Sequence, residues 1–287
     1  MKRLFFHISL IAIPIFLISI TSCNNTKTDT TNSDSIHDTI TDAHPNDTLR
    51  TKFKKLVAAM PVPFEMLKKF SGAKLPCKPE LLNNPDHASS YNSASLQSLN
   101  LGIYGADLAY LISQDKLGDG APYLKAIRRL SDAVVIPSAF NPNMLSRYEN
   151  NQDKKDSMQG LIQTSYKQID SSLQGNDRLA LAALVLTGGW LESIYLTTQH
   201  IGEESQNEKN KVLFDMLASQ QPYLENITEL LGSFPEDNLC KSLFTEFQSL
   251  KTDFPKGADI SSKEFALKLA KLRIDVASFR NHYVSIQ

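Results

Sequence analysis

Two stretches of this chain are almost free of charge, and each carries a single carboxylate. Residues 96–113 hold one charged side chain, Asp107, and residues 179–199 hold one, Glu192. Apolar residues surround both segments instead of marking one stripe, so each reads as a helix buried on all sides by its neighbours. A carboxylate on such a helix must be paired, hydrogen-bonded or neutralised, because an isolated buried charge is too costly to keep. The rest of the chain must therefore supply further helices to cover this pair and partners for its two acids.

The two segments also match one another. In "LNLGIYGADLAYL" (99–111) and "LVLTGGWLESIYL" (184–196), Leu99, Leu101, Asp107, Tyr110 and Leu111 align with Leu184, Leu186, Glu192, Tyr195 and Leu196. Upstream, "FEMLKKF" (64–70) faintly echoes "PNMLSRY" (142–148). Either a unit of several helices is duplicated, or two Leu-rich helices agree by composition. Tyr104 and Tyr110 lie three residues either side of Asp107 and share its face. Were the acids to converge, Tyr104, Asp107, Tyr110, Trp190 and Glu192 would line a pocket for a cationic or hydroxylated small ligand. The alternatives are the wet edge of a bundle, or pairing with Arg128, Arg129 or Arg178. Gly188-Gly189, like Gly102 and Gly105, marks a close approach of another backbone, since glycine inside a helix costs about 1 kcal/mol. The run from Leu179 to Gln199 is nearly long enough to span a bilayer, but a mid-helix glutamate and the glycine pair favour a buried core helix.

Elsewhere the pattern is helical too, and the fold class is all-α: a bundle of about nine or ten helices. Phe265, Leu269, Leu272, Val276, Phe279 and Tyr283 recur at steps of 4, 3, 4, 3, 4, which lays one apolar stripe along a C-terminal helix. The expected helices span about 49–60, 63–71, 91–114, 119–136, 142–150, 153–174, 177–201, 206–232, 235–251 and 261–285. Ser205, Ser233 and Ser261, each followed three residues later by glutamate, read as capping boxes. Asn141-Pro142 reads as a further cap with an N1 proline. Residues 72–90, with three prolines, read as a loop with one short turn.

The N-terminus answers where such a bundle would reside. Lys2 and Arg3 precede an apolar run, Leu4 to Ile20, too short for a spanning helix and typical of a secretion signal. Ile20-Thr21-Ser22-Cys23 then resembles the lipobox of bacterial lipoproteins. The resemblance implies cleavage after residue 22, a diacylglycerol on the Cys23 sulfur and an acyl chain on the new amine. Residues 1–22 would be the signal peptide, 23–48 the lipidated cysteine and a disordered Thr/Asp/Asn-rich tether, and 49–287 the helical domain. Two or more chains anchor a protein stably without spanning the membrane. Asparagine at position 24 is compatible with export to the outer membrane, on either its periplasmic or its cell-surface face. Within the tether, Asp29-Thr30-Thr31, Asp34-Ser35-Ile36, Asp38-Thr39-Ile40 and Asp47-Thr48-Leu49 resemble the O-glycosylation acceptor motif of Bacteroidota-type bacteria, or reflect composition alone. Glycans would then sit on Thr30, Ser35, Thr39 and Thr48.

A net charge of −1 argues against nucleic acid as a partner. Besides Cys23 only Cys77 and Cys240 remain; in an oxidising envelope they would either bridge or stay as two buried thiols. The sequence shows no zinc spacing, no Gly-x-Ser-x-Gly and no phosphate-binding Gly-x-x-x-x-Gly-Lys, so no metal, cofactor or catalytic residue is expected. Lipobox, polar tether, Tyr104-Gly105-Ala106-Asp107-Leu108 and Gly189-Trp190-Leu191-Glu192 together resemble a group of uncharacterised helical lipoproteins of Bacteroidota-type bacteria. That resemblance implies location and fold and no mechanism. The expected role is a non-catalytic module that binds a small molecule or an envelope protein. The alternatives are a structural accessory subunit of an envelope assembly and, further off, a hydrolase with a dispersed site.

Overall fold

A computed structural model describes residues 45–59, 66–73, 75–134, 178–254 and 263–285, with the single positions 150, 160 and 164. The helices expected over 142–150 and 153–174 therefore lie outside the described residues, as do Cys23, Thr30, Ser35, Thr39 and the caps at Asn141 and Ser261. Residues 43–287 form one compact unit. Its described helices are α1 (Pro45–Ala58), α2 (Lys69–Ala73), α3 (Ala94–Ser113), α4 (Ala121–Ala133), α5 (Leu179–Ile201), α6 (Lys211–Ala218), α7 (Gln221–Leu231), α8 (Asn238–Asp253) and α9 (Lys263–Val284). No strand occurs among the described residues, and the all-α multi-helix bundle stands.

The two apolar segments become α3 and α5, the innermost pair. Every residue from Ser98 to Ser113 is buried, and so is α5 from Thr187 to Thr198. Helix α5 has the length and apolarity to cross a bilayer, yet its side chains are enclosed by other helices. The pair touches through backbone. A Cβ on Gly102 would stand 2.0 Å from the Val185 carbonyl oxygen, and one on Gly188 would stand 2.0 Å from that of Leu99. Matching neighbours rise together along both helices, from Leu99 beside Gly188 to Tyr110 beside His200, so α3 and α5 run in the same direction.

The remaining helices are amphipathic and close around this pair. Helix α4 packs on α3; α6, α7 and α9 pack on α5; α1 lies on α7, and α8 on α7 and α9. Helix α9 buries Phe265, Leu269, Leu272, Val276, Arg280 and Tyr283. Five of the six stripe residues, Tyr283 included, are thus buried; Phe279 is half-buried against the core, and Arg280 next to it is buried as well.

Local chemistry sets the ends. Ser93 caps α3, accepting from the Leu96 amide at 3.2 Å, and Asp237 caps α8, accepting from the Cys240 amide at 2.9 Å. Helix α8 therefore starts after Asp237, and Ser233 is no cap. Ser205 is no cap either: Asn207 and Asn210 bond each other's main chain and open α6 at Lys211. The single helix expected over 206–232 is two, broken at Ser219 and Gln220, with a proline in the first turn of α7. Gly202 ends α5 at φ +60°, where glycine has no Cβ to clash. Helix α1 begins at Pro45, so the last residues assigned to the tether are helical. Thr48 stands exposed in that first turn.

Candidate functional site

Asp107 and Glu192 converge. Both are fully buried where α3 meets α5, close enough for one carboxyl to hydrogen-bond the other. The third member is Arg280 of α9. Its Nε donates to Glu192 Oε2 at 2.9 Å and its Nη2 to Glu192 Oε1 at 3.1 Å, the two-pronged geometry that a planar guanidinium offers a carboxylate. The same Nη2 reaches the Leu81 carbonyl at 3.3 Å, and the guanidinium carbon lies 4.7 Å from the centre of the Tyr195 ring. Asp107 Oδ2 accepts from the Asn83 amide at 3.1 Å.

Two carboxyls and one guanidinium in a sealed site leave one negative charge too many. Burial, and next the charge of Glu192, push the Asp107 pKa well above its ordinary range, against Arg280 and the Asn83 amide. Burial opposes the charge on Arg280, but Glu192 and Asp107 outweigh it and hold the guanidinium pKa above its usual value. Among the described residues Asp107 Oδ1 has no hydrogen-bond partner, which suits a proton shared with Glu192. Burial and the neighbouring carboxylate thus favour the protonated form of Asp107, while Arg280 is held in its charged form.

That assignment has a measurable sign. A carboxyl whose pKa rises on folding holds its proton more tightly in the native state. Its stabilising contribution is complete below about pH 4 and is lost as pH climbs toward the native pKa. Asparagine at 107 keeps the shape and cannot ionise. Asp107→Asn should therefore gain on the wild type by up to about 1.4 kcal/mol per pH unit above pH 4. Urea midpoints at pH 4, 6 and 8 give the comparison; a gap constant with pH would mean that Asp107 is ionised in the fold.

The other residues nominated from sequence distribute unevenly. Tyr104 belongs to the surroundings of the triad: its hydroxyl donates to the Asn84 carbonyl at 2.7 Å. Tyr110 lies farther along α3, where its hydroxyl accepts from the Lys78 amide at 2.8 Å and meets His200 Nε2 at 2.7 Å. Burial, and after it Lys78, lowers the His200 pKa to about 4. The ring is neutral at pH 7 and shares one hydrogen bond with the Tyr110 hydroxyl through Nε2. Trp190 packs among Phe247 and Phe254, with its Nε1 donating to Gln220 at 3.2 Å. Tyr110 and Trp190 thus have partners of their own away from the acids.

The arginines weighed from sequence are not the partners of the triad. Arg128 pairs loosely with Asp132 on the surface at 3.9 Å, and Arg178 donates to the Val134 carbonyl. Arg280 was legible in one respect only: it sits four residues after Val276 and three before Tyr283, in register with the apolar stripe. Cys77 and Cys240 are both free thiols, which corrects the bridged alternative. Cys77 is half-buried beside Tyr110, while Cys240 is enclosed in the first turn of α8, and burial raises both pKa values.

Surface clefts among the described residues include two at some distance from the triad. One of about 340 Å³ lies between residues 202–206 and the start of α9, and one of about 600 Å³ lies against α1, α7 and α8. Neither is lined by the triad. No group of three or more His, Cys, Asp or Glu side chains suited to a metal occurs among the described residues. Comparison with known proteins adds no relative: no family model, curated protein or solved structure matches the chain.

Proposed function

We propose that this chain is a lipid-anchored, non-catalytic interaction module of the cell envelope, held on the outer membrane through Cys23. The observation that carries the non-catalytic reading is the triad. General acid–base work needs a carboxyl that can reach a substrate proton, whereas Asp107 and Glu192 are fully buried and engaged with one another and with Arg280. The anchored reading rests on the apolar run and Ile20-Thr21-Ser22-Cys23. In bacteria fed radiolabelled palmitate, the wild type should incorporate label and fractionate with the outer membrane. Cys23→Ala should lose the label and most of the membrane-bound fraction. Unchanged fractionation and labelling in the variant would refute the anchor.

One observation favours the accessory-subunit reading as a second choice. Leu267 and Ile274, two turns apart on α9, are 64% and 65% exposed. Large aliphatics presented to water on one helix face suit a contact with a partner protein. Crosslinking from residue 271 in intact cells would distinguish the readings, since an accessory subunit should yield one defined adduct.

A further inference from the structure

Helix α9 carries two apolar stripes. The inward one, from Phe265 to Tyr283, belongs to the core. The second lies on the outward side, where Leu267, Ala270, Ile274 and Ala277 recur at steps of 3, 4 and 3. That is the spacing of a seam between two helices. Leu267 and Ile274 are 64% and 65% exposed, and no other large apolar side chain among the described residues is so open to water. Ala270 is exposed and Ala277 half-buried.

The volumes along this seam choose its partner. Large and small residues alternate: Leu, Ala, Ile, Ala. A second α9 laid antiparallel, centred on position 272, sets Leu267 against Ala277 of the second copy and Ile274 against its Ala270. Every layer then joins one large side chain to one methyl group, the arrangement by which facing layers interdigitate. A parallel pairing would stack large on large and alanine on alanine, with gaps that close packing does not tolerate. The alanines also let the two axes approach to about 8 Å. Charge agrees on one flank. Arg273 Nη2 donates to Glu203 Oε1 at 3.0 Å, and the Glu203 side chain is 86% exposed. Position 273 lies next to the two-fold axis, so each Glu203 can also meet Arg273 of the second copy. On the other flank Lys271 faces its own counterpart, a repulsion between exposed groups that salt screens.

We infer that α9 is a self-association helix, through which two copies of this chain pair along the antiparallel Leu267–Ala277 seam. The inference takes the face of the accessory-subunit reading and seats a second copy there in place of a foreign protein; it does not rest on the Cys23 anchor. A seam of about 15 Å buries far less than the about 1,600 Å² of a standard interface, so the dimer is weak and depends on concentration.

The test is sedimentation equilibrium of the full chain in density-matched detergent, over a concentration series in the micromolar range. The wild type should show a monomer–dimer equilibrium. Leu267→Glu should weaken it by about tenfold or more, as should Ala277→Lys. Ala270→Leu should weaken it as much although it adds apolar surface, because the added side chain meets Ile274 of the second copy with no space left. Leu267→Glu combined with Ala277→Lys should recover most of the affinity, since each introduced carboxylate then faces the introduced ammonium of the other copy. A wild type that stays monomeric overturns the inference, as does undiminished pairing of Ala270→Leu or a folded double variant that recovers nothing. If the double variant loses its helical circular dichroism, Ala270→Leu decides alone, because position 270 is exposed. Crosslinking from residue 271 should give an adduct of twice the chain mass; one adduct with a different protein, from a monomeric chain, would keep the accessory-subunit reading and overturn this one.

Discussion

Replacing Arg280 with leucine should cost the fold about 3–5 kcal/mol, the range found when one partner is removed from a buried ion pair. Leucine fills much of the space but leaves Glu192, fully buried, beside Asp107 with no cation. Two buried carboxyls without a cation cannot both stay ionised, so the variant must bind protons to fold and the penalty should deepen as pH rises. The Leu81 carbonyl loses its donor in the same step. The informative comparison is the double variant Arg280→Leu with Glu192→Gln. It removes both charges, and most of the lost stability should return, because a buried pair is strongly destabilising when halved and nearly neutral when replaced whole. Urea unfolding at pH 7 followed by the single tryptophan, Trp190, reads all three proteins. A loss under about 1 kcal/mol for the single variant would place Arg280 with ordinary surface pairs.

The same triad shows where sequence reasoning succeeds and where it stops. A lone acid on an all-apolar helix is a local statement, and it correctly demanded burial and a partner for Asp107 and Glu192. Which partner was a question about tertiary register. Arg280 lies 88 residues from Glu192, and only its phase within the stripe of α9 hinted at an inward side chain. Periodicity assigned that position to Phe279, because an apolar residue outranks a charged one when burial is judged by composition. A long arginine can also carry its stem through apolar surroundings. Residues 75–89 are read incompletely for a related reason: three prolines and several polar residues read as loop, while Lys78, Leu81, Asn83 and Asn84 bond α3 and α9 through main-chain atoms that no side-chain pattern records.

Helix ends failed in another manner. Ser205 and Ser233 satisfied a capping motif, but Asn207, Asn210 and Asp237 stood nearby with equal chemistry, and the start of the buried stripe decided between them. Alignment of the two central segments fared better than the pocket drawn from it. Asp107 and Glu192, equivalent by that alignment, face each other, whereas Tyr110 bonds His200 and Tyr195 lies under Arg280. Equivalent positions therefore share a place in the fold without sharing a role.

The crossing of α3 and α5 makes the sharpest demand on individual residues. At Gly188 a single methyl group would stand 2.0 Å from the Leu99 carbonyl oxygen, 2.9 Å from its carbon and 3.3 Å from the Ile103 nitrogen. All three atoms are backbone, so no rotamer change relieves the overlap, and the two helices must part over their whole contact. Overpacking in a core commonly costs about 1–3 kcal/mol, occasionally more; with backbone on both sides, Gly188→Ala should reach or exceed the upper end. Gly102→Ala meets the Val185 oxygen and the Gly189 nitrogen and should behave alike. Because both substitutions open the same crossing, their effects should not add: once the helices have separated for one methyl group, the second finds part of its space already made. Gly118→Ala is the control, since nothing lies within 4 Å of its added carbon. It should leave stability unchanged, or raise it by up to about 1 kcal/mol through the unfolded chain. The separation would also pull Glu192 away from Asp107. Gly188→Ala should therefore flatten the pH dependence attributed to the shared proton, and an intact dependence in a destabilised Gly188→Ala protein would uncouple the triad from the crossing.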